Sequence, residues 1–219
     1  DQRLTVAGFY KSIDNPIEAF TSLSDSSVST GFANAPKATL YGAEVEVQKY
    51  VSLDTLSDAP FWQSRRLVLI GNYTYTQSDI SVREGDTTVI NGVTENAANY
   101  FFDGAPMTGQ SDHLVNLQIG LEDQDKLSQQ TLLLTYASPR VTSRGPSRQP
   151  DLLEKPGIQL DFVARQGLNM LGKEVELKFE ARNLTGRKYQ EVQTSGDNKI
   201  YFNRYKLGRT FSLSASIKF

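Results

Sequence analysis

The chain has 219 residues, with 23 Lys plus Arg against 25 Asp plus Glu and a formal net charge of −2. That length suits one sizeable β domain, and the charge balance excludes the basic surface that nucleic-acid binding needs. Cysteine is absent, which excludes a disulfide framework and thiolate metal sites. No apolar run is long enough for a transmembrane helix, which leaves open membrane strands of about 9–11 alternating residues.

The chain opens Asp1-Gln2-Arg3-Leu4-Thr5-Val6, with neither an initiator Met nor a signal peptide, as expected of a processed or excised piece of something longer. Leu4, Val6, Gly8 and Tyr10 alternate with Thr5, Ala7, Phe9 and Lys11, which predicts a strand over residues 3–14. Asn15-Pro16 ends it, and residues 17–37, rich in Ser, Thr, Asn and Ala, read as a long loop. A second strand is predicted over 38–51, with Tyr41, Ala43, Val45 and Val47 opposite Glu44, Glu46 and Gln48. Residues 52–65 read as a connection, in which Phe61 and Trp62 suit a membrane interface.

The third strand, 66–77, sets Leu67, Leu69, Gly71, Tyr73 and Tyr75 against Asn72, Thr74 and Thr76. Residues 78–110 form the longest expected loop, with the acids Asp79, Glu84, Asp86 and Glu95 and the cluster Tyr100-Phe101-Phe102-Asp103. Strand four, 111–122, sets Val115, Leu117, Ile119 and Leu121 against Asn116, Gln118 and Glu122. A short turn leads to strand five, 129–138. A basic, Pro-rich loop at 139–156 then carries Arg140, Arg144 and Arg148. Strands six (157–166) and seven (173–184) follow across a short turn; the second has Glu174, Glu176, Lys178, Glu180 and Arg182 along one face. Charges at that density need water on their side, either outside a soluble sheet or inside a hydrated lumen. After a polar loop at 185–202, a closing strand is predicted over 203–219. There Phe211, Leu213, Ala215, Ile217 and Phe219 alternate with polar residues. No stretch shows helical periodicity of useful length.

The connections run long, medium, long, short, long, short, long, the pattern of a membrane barrel with long extracellular loops and short periplasmic turns; 52–65 fits it least well. A strand ending in Phe211, Leu213, Ile217 and Phe219 resembles the closing strand of bacterial outer-membrane barrels. Several segments resemble the last part of the barrel of a TonB-dependent outer-membrane receptor. They are Val6-Ala7-Gly8-Phe9-Tyr10, Leu40-Tyr41-Gly42-Ala43-Glu44, Gly71-Asn72-Tyr73-Thr74-Tyr75, Pro106-Met107-Thr108-Gly109, Ala181-Arg182-Asn183-Leu184-Thr185-Gly186 and Leu207-Gly208-Arg209-Thr210-Phe211.

The resemblance implies an all-β fold. Residues 1–219 would be about eight strands of an antiparallel transmembrane β-barrel, the C-terminal portion of a larger, plugged one of 22 strands. It implies TonB-driven uptake of a scarce nutrient such as a ferric siderophore across a Gram-negative outer membrane, with the C-terminus periplasmic. It implies no enzyme activity and no resident cofactor or metal. Expected partners are outer-membrane lipid, the TonB complex through a plug domain absent here, the remaining strands or a second chain, and a small-molecule or metal-chelate substrate.

Candidate substrate contacts are Tyr100, Phe101 and Phe102, by stacking, and Arg140, Arg144 and Arg148, by binding anions. The plainer readings are a loop packed on itself for the aromatics and a solvated loop for the arginines. Glu44, Glu46, Asn72, Asn116, Gln118 and Glu176 are expected to face the lumen, and Tyr41, Tyr73, Tyr75 and Tyr136 to form an interfacial girdle. Gly42 and Gly71 are expected where a plug presses on the wall. A small self-contained barrel with an adhesin or structural role is the alternative; its inward Glu residues would need compensating inward Arg and Lys, of which the sequence offers too few. Ser111-Asp112-His113 raises a barrel enzyme as a third reading, but neighbours in one strand do not converge as a triad does.

Overall fold

The structure is a computed structural model that describes residues 2–24, 27–145, 149–170 and 172–217. The chain runs as successive hairpins. β1 (Gln2–Asp14) leads through the hairpin β2 (Ile17–Ser24) and β3 (Ser27–Asn34) into β4 (Lys37–Ser52). Two short helical turns, Asp54–Leu56 and α1 (Pro60–Gln63), precede β5 (Arg65–Ser81). The small hairpin β6 (Thr87–Ile90) and β7 (Val93–Asn96) precedes β8 (His113–Asp123), which turns into β9 (Ser128–Ala137). β10 (Arg140–Ser143) and β11 (Leu152–Glu154) lead to β12 (Gly157–Met170) and β13 (Lys173–Arg182). β14 (Lys188–Ser195) and β15 (Asn198–Lys206) form the last hairpin before β16 (Thr210–Ile217).

Eight of these strands form one antiparallel sheet in the order β1-β4-β5-β8-β9-β12-β13-β16. Side chains alternate between faces along a strand, and paired residues share a face. The register therefore lines up whole rows. One row runs Val6, Val45, Tyr73, Val115, Tyr136, Ile158, and the next Leu4, Val47, Gly71, Leu117, Leu134, Leu160. A third runs Leu69, Ile119, Leu132, Phe162, Ala181, Phe211. This face is not covered: Leu4 is 69% exposed, Val6 67% and Leu213 74%. An apolar face this wide is unsuited to water and fits a lipid surface.

The other face is polar and internally paired. Arg165 bonds Glu176 at 2.7 Å, and Lys178 and Arg182 both reach Glu180 at 3.0 Å. Arg66 pairs with Glu122, and Asn72 donates to Glu44 at 2.7 Å. Arg165 of β12 reaches across to Glu176 of β13 and Arg66 of β5 to Glu122 of β8, whereas Lys178 and Arg182 share β13 with Glu180. The end strands β1 and β16 each pair on one side, so the sheet stays open.

Every long connection leaves the same end of the sheet, called here the loop end. The turns at 53–64 and 124–127 and the link between β12 and β13 lie at the opposite, turn end. Four segments expected to be irregular are in fact partly strand. The stretch 17–34 is a hairpin, and 87–96 is another, closed by Asn91 (φ 50°) and Gly92 (φ 82°). Two left-handed residues in succession match the twist of a tight hairpin. The Pro-rich loop and the last polar loop join in one sheet, β10-β11-β14-β15. The closing strand also starts later than expected. Residues 203–206 belong to β15, Gly208 turns the chain at φ 79°, and β16 begins at Thr210.

The apolar core sits at the loop end, formed by these connections and the adjoining ends of β4 and β5. Phe20, Ala33, Ala35, Ala38, Ile80, Ile90, Ala97 and Phe101 form one buried cluster. Among the described residues no helix is long and apolar enough to cross a membrane, which says nothing of strands.

The structure also explains two glycines without a plug. A Cβ at Gly42 would fall 2.7 Å from Phe9 Cζ and closer still to the Tyr75 carbonyl. Gly71 lies on the apolar face, where a Cβ would meet only a Leu117 methyl at 3.3 Å. Gly42→Val is therefore expected to destabilise the folded sheet by about 1–3 kcal/mol through overpacking, and Gly71→Ala by less than about 1 kcal/mol because a methyl can yield. Urea midpoints of the two variants refolded in detergent check the ranking. Equal midpoints would contradict it.

Candidate functional site

The loop end is built around Arg144. Its side chain is fully buried, with Nη2 3.2 Å from Glu18 Oε2 and Nη1 2.8 Å from Asp151 Oδ2. Nη2 also donates to the Pro106 carbonyl. The Glu18 carboxylate accepts the Thr108 backbone N–H at 3.0 and 3.1 Å. The backbones join too: Thr21 donates to the Arg144 carbonyl and Arg144 to the Ala19 carbonyl, each at 2.8 Å. One cation thus holds three connections, those between β1 and β4, β5 and β8, and β9 and β12. The fourth, between β13 and β16, attaches where Leu153 and Glu154 of β11 pair with Val192 and Glu191 of β14. Burial pushes the Glu18 carboxyl above its ordinary range, against the opposing pull of Thr108 and Arg144.

Local chemistry explains why these segments meet. Asn183, left-handed at φ 55°, ends β13 and accepts the Arg187 N–H at 2.8 Å. Its amide donates to the Gly208 carbonyl at 2.6 Å, tying the end of one strand to the start of the next. The Asn183-Leu184-Thr185-Gly186 element is therefore a clamp at the mouth of the last connection.

The candidate contact residues separate in space. Phe101 is 1% exposed inside the loop core, and Tyr100 packs edge-on against Phe20 with ring centres 5.3 Å apart. Phe102 remains 39% exposed. Arg140 is bonded to Glu154 at 2.7 Å, and Arg144 is committed to Glu18 and Asp151. Arg148 and Phe219 lie outside the described residues. Glu44, Glu46, Asn72, Asn116, Gln118 and Glu176 all fall on the polar face of the sheet. Phe211, Leu213 and Ile217 alternate on the apolar face, paired with Ala181, Phe179 and Val175.

Ser111 and His113 point to other work. The Ser111 hydroxyl donates to the Ser138 carbonyl at 2.9 Å, and His113 Nδ1 lies 2.9 Å from the Tyr73 hydroxyl. The three residues of the Ser-Asp-His run do not converge. Among the described residues, no group of three or more His, Asp and Glu could hold a metal ion.

A second polar and aromatic surface lies across the expected boundary between the polar loop at 185–202 and the closing strand at 203–219. β15 is exposed along its whole length. Lys199 and Arg204 each lie 4.7 Å from the Tyr201 ring centre, and Lys199 holds the Tyr201 hydroxyl below its ordinary range. Tyr205 stacks on Tyr189 at 4.9 Å. Burial and the Glu191 carboxylate push the Tyr189 hydroxyl well above its usual range. The run Tyr201-Phe202-Asn203-Arg204-Tyr205 was the visible signal for this surface.

Arg144→Ala leaves Glu18 buried without its cation. The expected loss is about 3–5 kcal/mol, local to the connections. Glu18 loses a partner that favours its charged form, so its folded-state pKa rises further above the unfolded value. Such an acid costs stability as pH rises through the folded value, and acidification returns it. Amide hydrogen exchange in 17–34 and 104–112 should therefore quicken more at neutral than at acid pH. Quickening that is independent of pH would contradict the role given to Glu18.

The model of the TonB dependent receptor-like β-barrel family matches residues 1–184. Curated proteins and solved structures give no match.

Proposed function

Because the chain belongs to the TonB-dependent receptor-like β-barrel family, an outer-membrane receptor and transporter family, we propose that it forms part of the wall and outer loops of a transporter. That transporter takes up a scarce nutrient, such as a ferric siderophore, with energy delivered through TonB. The observation that carries this reading is the two-faced sheet, with exposed apolar rows on one side and a salt-bridged polar layer on the other. The apolar rows face lipid. Glu44, Glu46, Asn72, Asn116, Gln118 and Glu176 line the lumen. The C-terminal strand runs toward the periplasm, so the Arg144-centred loop end lies outside the cell.

A solute arriving from outside then meets the connections at 78–110 and 139–156, where Phe102 is exposed, and the Tyr201 surface of β15. A self-contained eight-stranded barrel would join its first strand to its last. The open edges at β1 and β16 favour a wall shared with further strands over that alternative. The TonB partner would act through a plug supplied elsewhere.

Two measurements test this reading. Uptake of a radiolabelled ferric chelate by cells starved of iron should fall to background when the gene is deleted, and should need both the proton-motive force and TonB. Uptake unchanged by deletion across a panel of chelates would remove the siderophore assignment. For orientation, Leu117→Lys should lower folding stability in a bilayer by about 2–4 kcal/mol, the penalty of a cation facing lipid near mid-depth. Asn116→Lys, one residue away, should cost far less. Equal penalties would refute the assignment of faces.

A further inference from the structure

Arg65 begins β5 on the apolar face, opposite Asp123 and in line with Leu67 and Leu69. It therefore stands where the apolar rows end, at the turn end of the sheet. The residue is 7% exposed. Its Nη2 donates to the Ser128 hydroxyl at 3.1 Å and stands 3.8 Å from the Asp123 carboxylate, long for an ion pair. Nε and Nη1 are buried and have no hydrogen-bond partner among the described residues. A buried cationic donor without an acceptor is costly, so the position points to an acceptor from outside the chain.

An aromatic pair stands over this cation. The Phe61 ring lies 4.2 Å from the guanidinium carbon, itself 50% exposed and edge-on to Trp62 at 4.8 Å. Lys126, with its side chain 69% exposed, approaches the same Asp123 carboxylate at 3.8 Å. Two cations therefore share one acid. Arg66, the next residue, faces the polar side and is paired with Glu122, so the unsatisfied cation belongs to the lipid-facing side alone.

We propose that Arg65, assisted by Lys126, binds the phosphate of a membrane phospholipid at the turn-end rim, with Phe61 and Trp62 seated at the boundary between headgroups and acyl chains. This rests on the outer-membrane reading above. A lipopolysaccharide phosphate has similar chemistry but belongs to the opposite leaflet, at the loop end.

The test is native mass spectrometry of the intact protein purified from outer membranes, in micelles holding phosphatidylglycerol and lipopolysaccharide in equal amounts. The wild-type protein should retain phosphatidylglycerol. Arg65→Gln should retain about tenfold less, the effect of one lost charge-assisted hydrogen bond. Phe61→Ala should keep the lipid, and Arg66→Gln should behave as wild type. If Arg65→Gln does not fold, Lys126→Gln, altered only at an exposed side chain, decides with a severalfold fall. Retention unchanged in the variant that decides, an equal fall in Arg66→Gln, or preferential retention of lipopolysaccharide would overturn the site. A protein absent from outer membranes would overturn the membrane reading itself, before any lipid is counted.

Discussion

Register across the eight-stranded sheet is the constraint from which the rest follows. Val6, Val45, Tyr73, Val115, Tyr136 and Ile158 stand in one row because every strand pair is set to the same phase. A slip of one residue in β13 would carry Glu174, Glu176, Lys178 and Glu180 to the apolar face and Val175, Leu177 and Phe179 to the polar one. Glu176 would lose Arg165 on β12, and the other charges would face the apolar side. The apolar rows and the ion pairs therefore enforce the same register from opposite faces. Phe9 adds a steric key, its ring lying where a side chain at position 42 would otherwise stand.

A sheet that uses its apolar side chains on an outer surface has none left for a core. The connections supply most of one instead, with Phe20, Ile90 and Phe101 packed around Ile80 at the loop end of β5. Beside it sits the Glu18–Arg144–Asp151 group. Burying these charges opposes folding through desolvation, and hydrogen bonds from Thr108 and to Pro106 offset much of that. The group acts chiefly as a specifier. It fits when all three connections are in place, and any one out of place leaves a buried charge unmatched.

What was legible in the sequence was what repeats with period two. β5 was expected at 66–77 and is found at Arg65–Ser81; β4 was expected at 38–51 and is found at Lys37–Ser52. The connections were less legible because their strands carry Ser and Thr on both faces, as in Ile17–Ser24, and lack an apolar stripe. Asn91-Gly92 was a hairpin signal in plain view. The late start of β16 was hidden because aromatic residues continue through Tyr201, Phe202 and Tyr205 across the turn at Gly208. Among the candidate contacts, Arg140 and Arg144 look alike in a Pro-rich stretch. Their environments are set by Glu154 and by Glu18, the latter 126 positions away from Arg144, and no local pattern reports a partner at that distance.

The same long-range pairing decides how the loop end can move. Opening one of the three connections held by Arg144 exposes a mismatch in the other two, so those connections open together at a high free-energy cost or stay shut. β15 escapes this coupling: it lies at the edge of the loop sheet, joined only to β14, and is exposed throughout. Its cations rest on the Tyr201 ring rather than in a buried carboxylate, and an exposed cation–π contact is weak enough to exchange for another partner. If the chain serves uptake as proposed, adaptable first contact belongs to β15, and the Arg144 group keeps the remaining loops in fixed positions around the polar face.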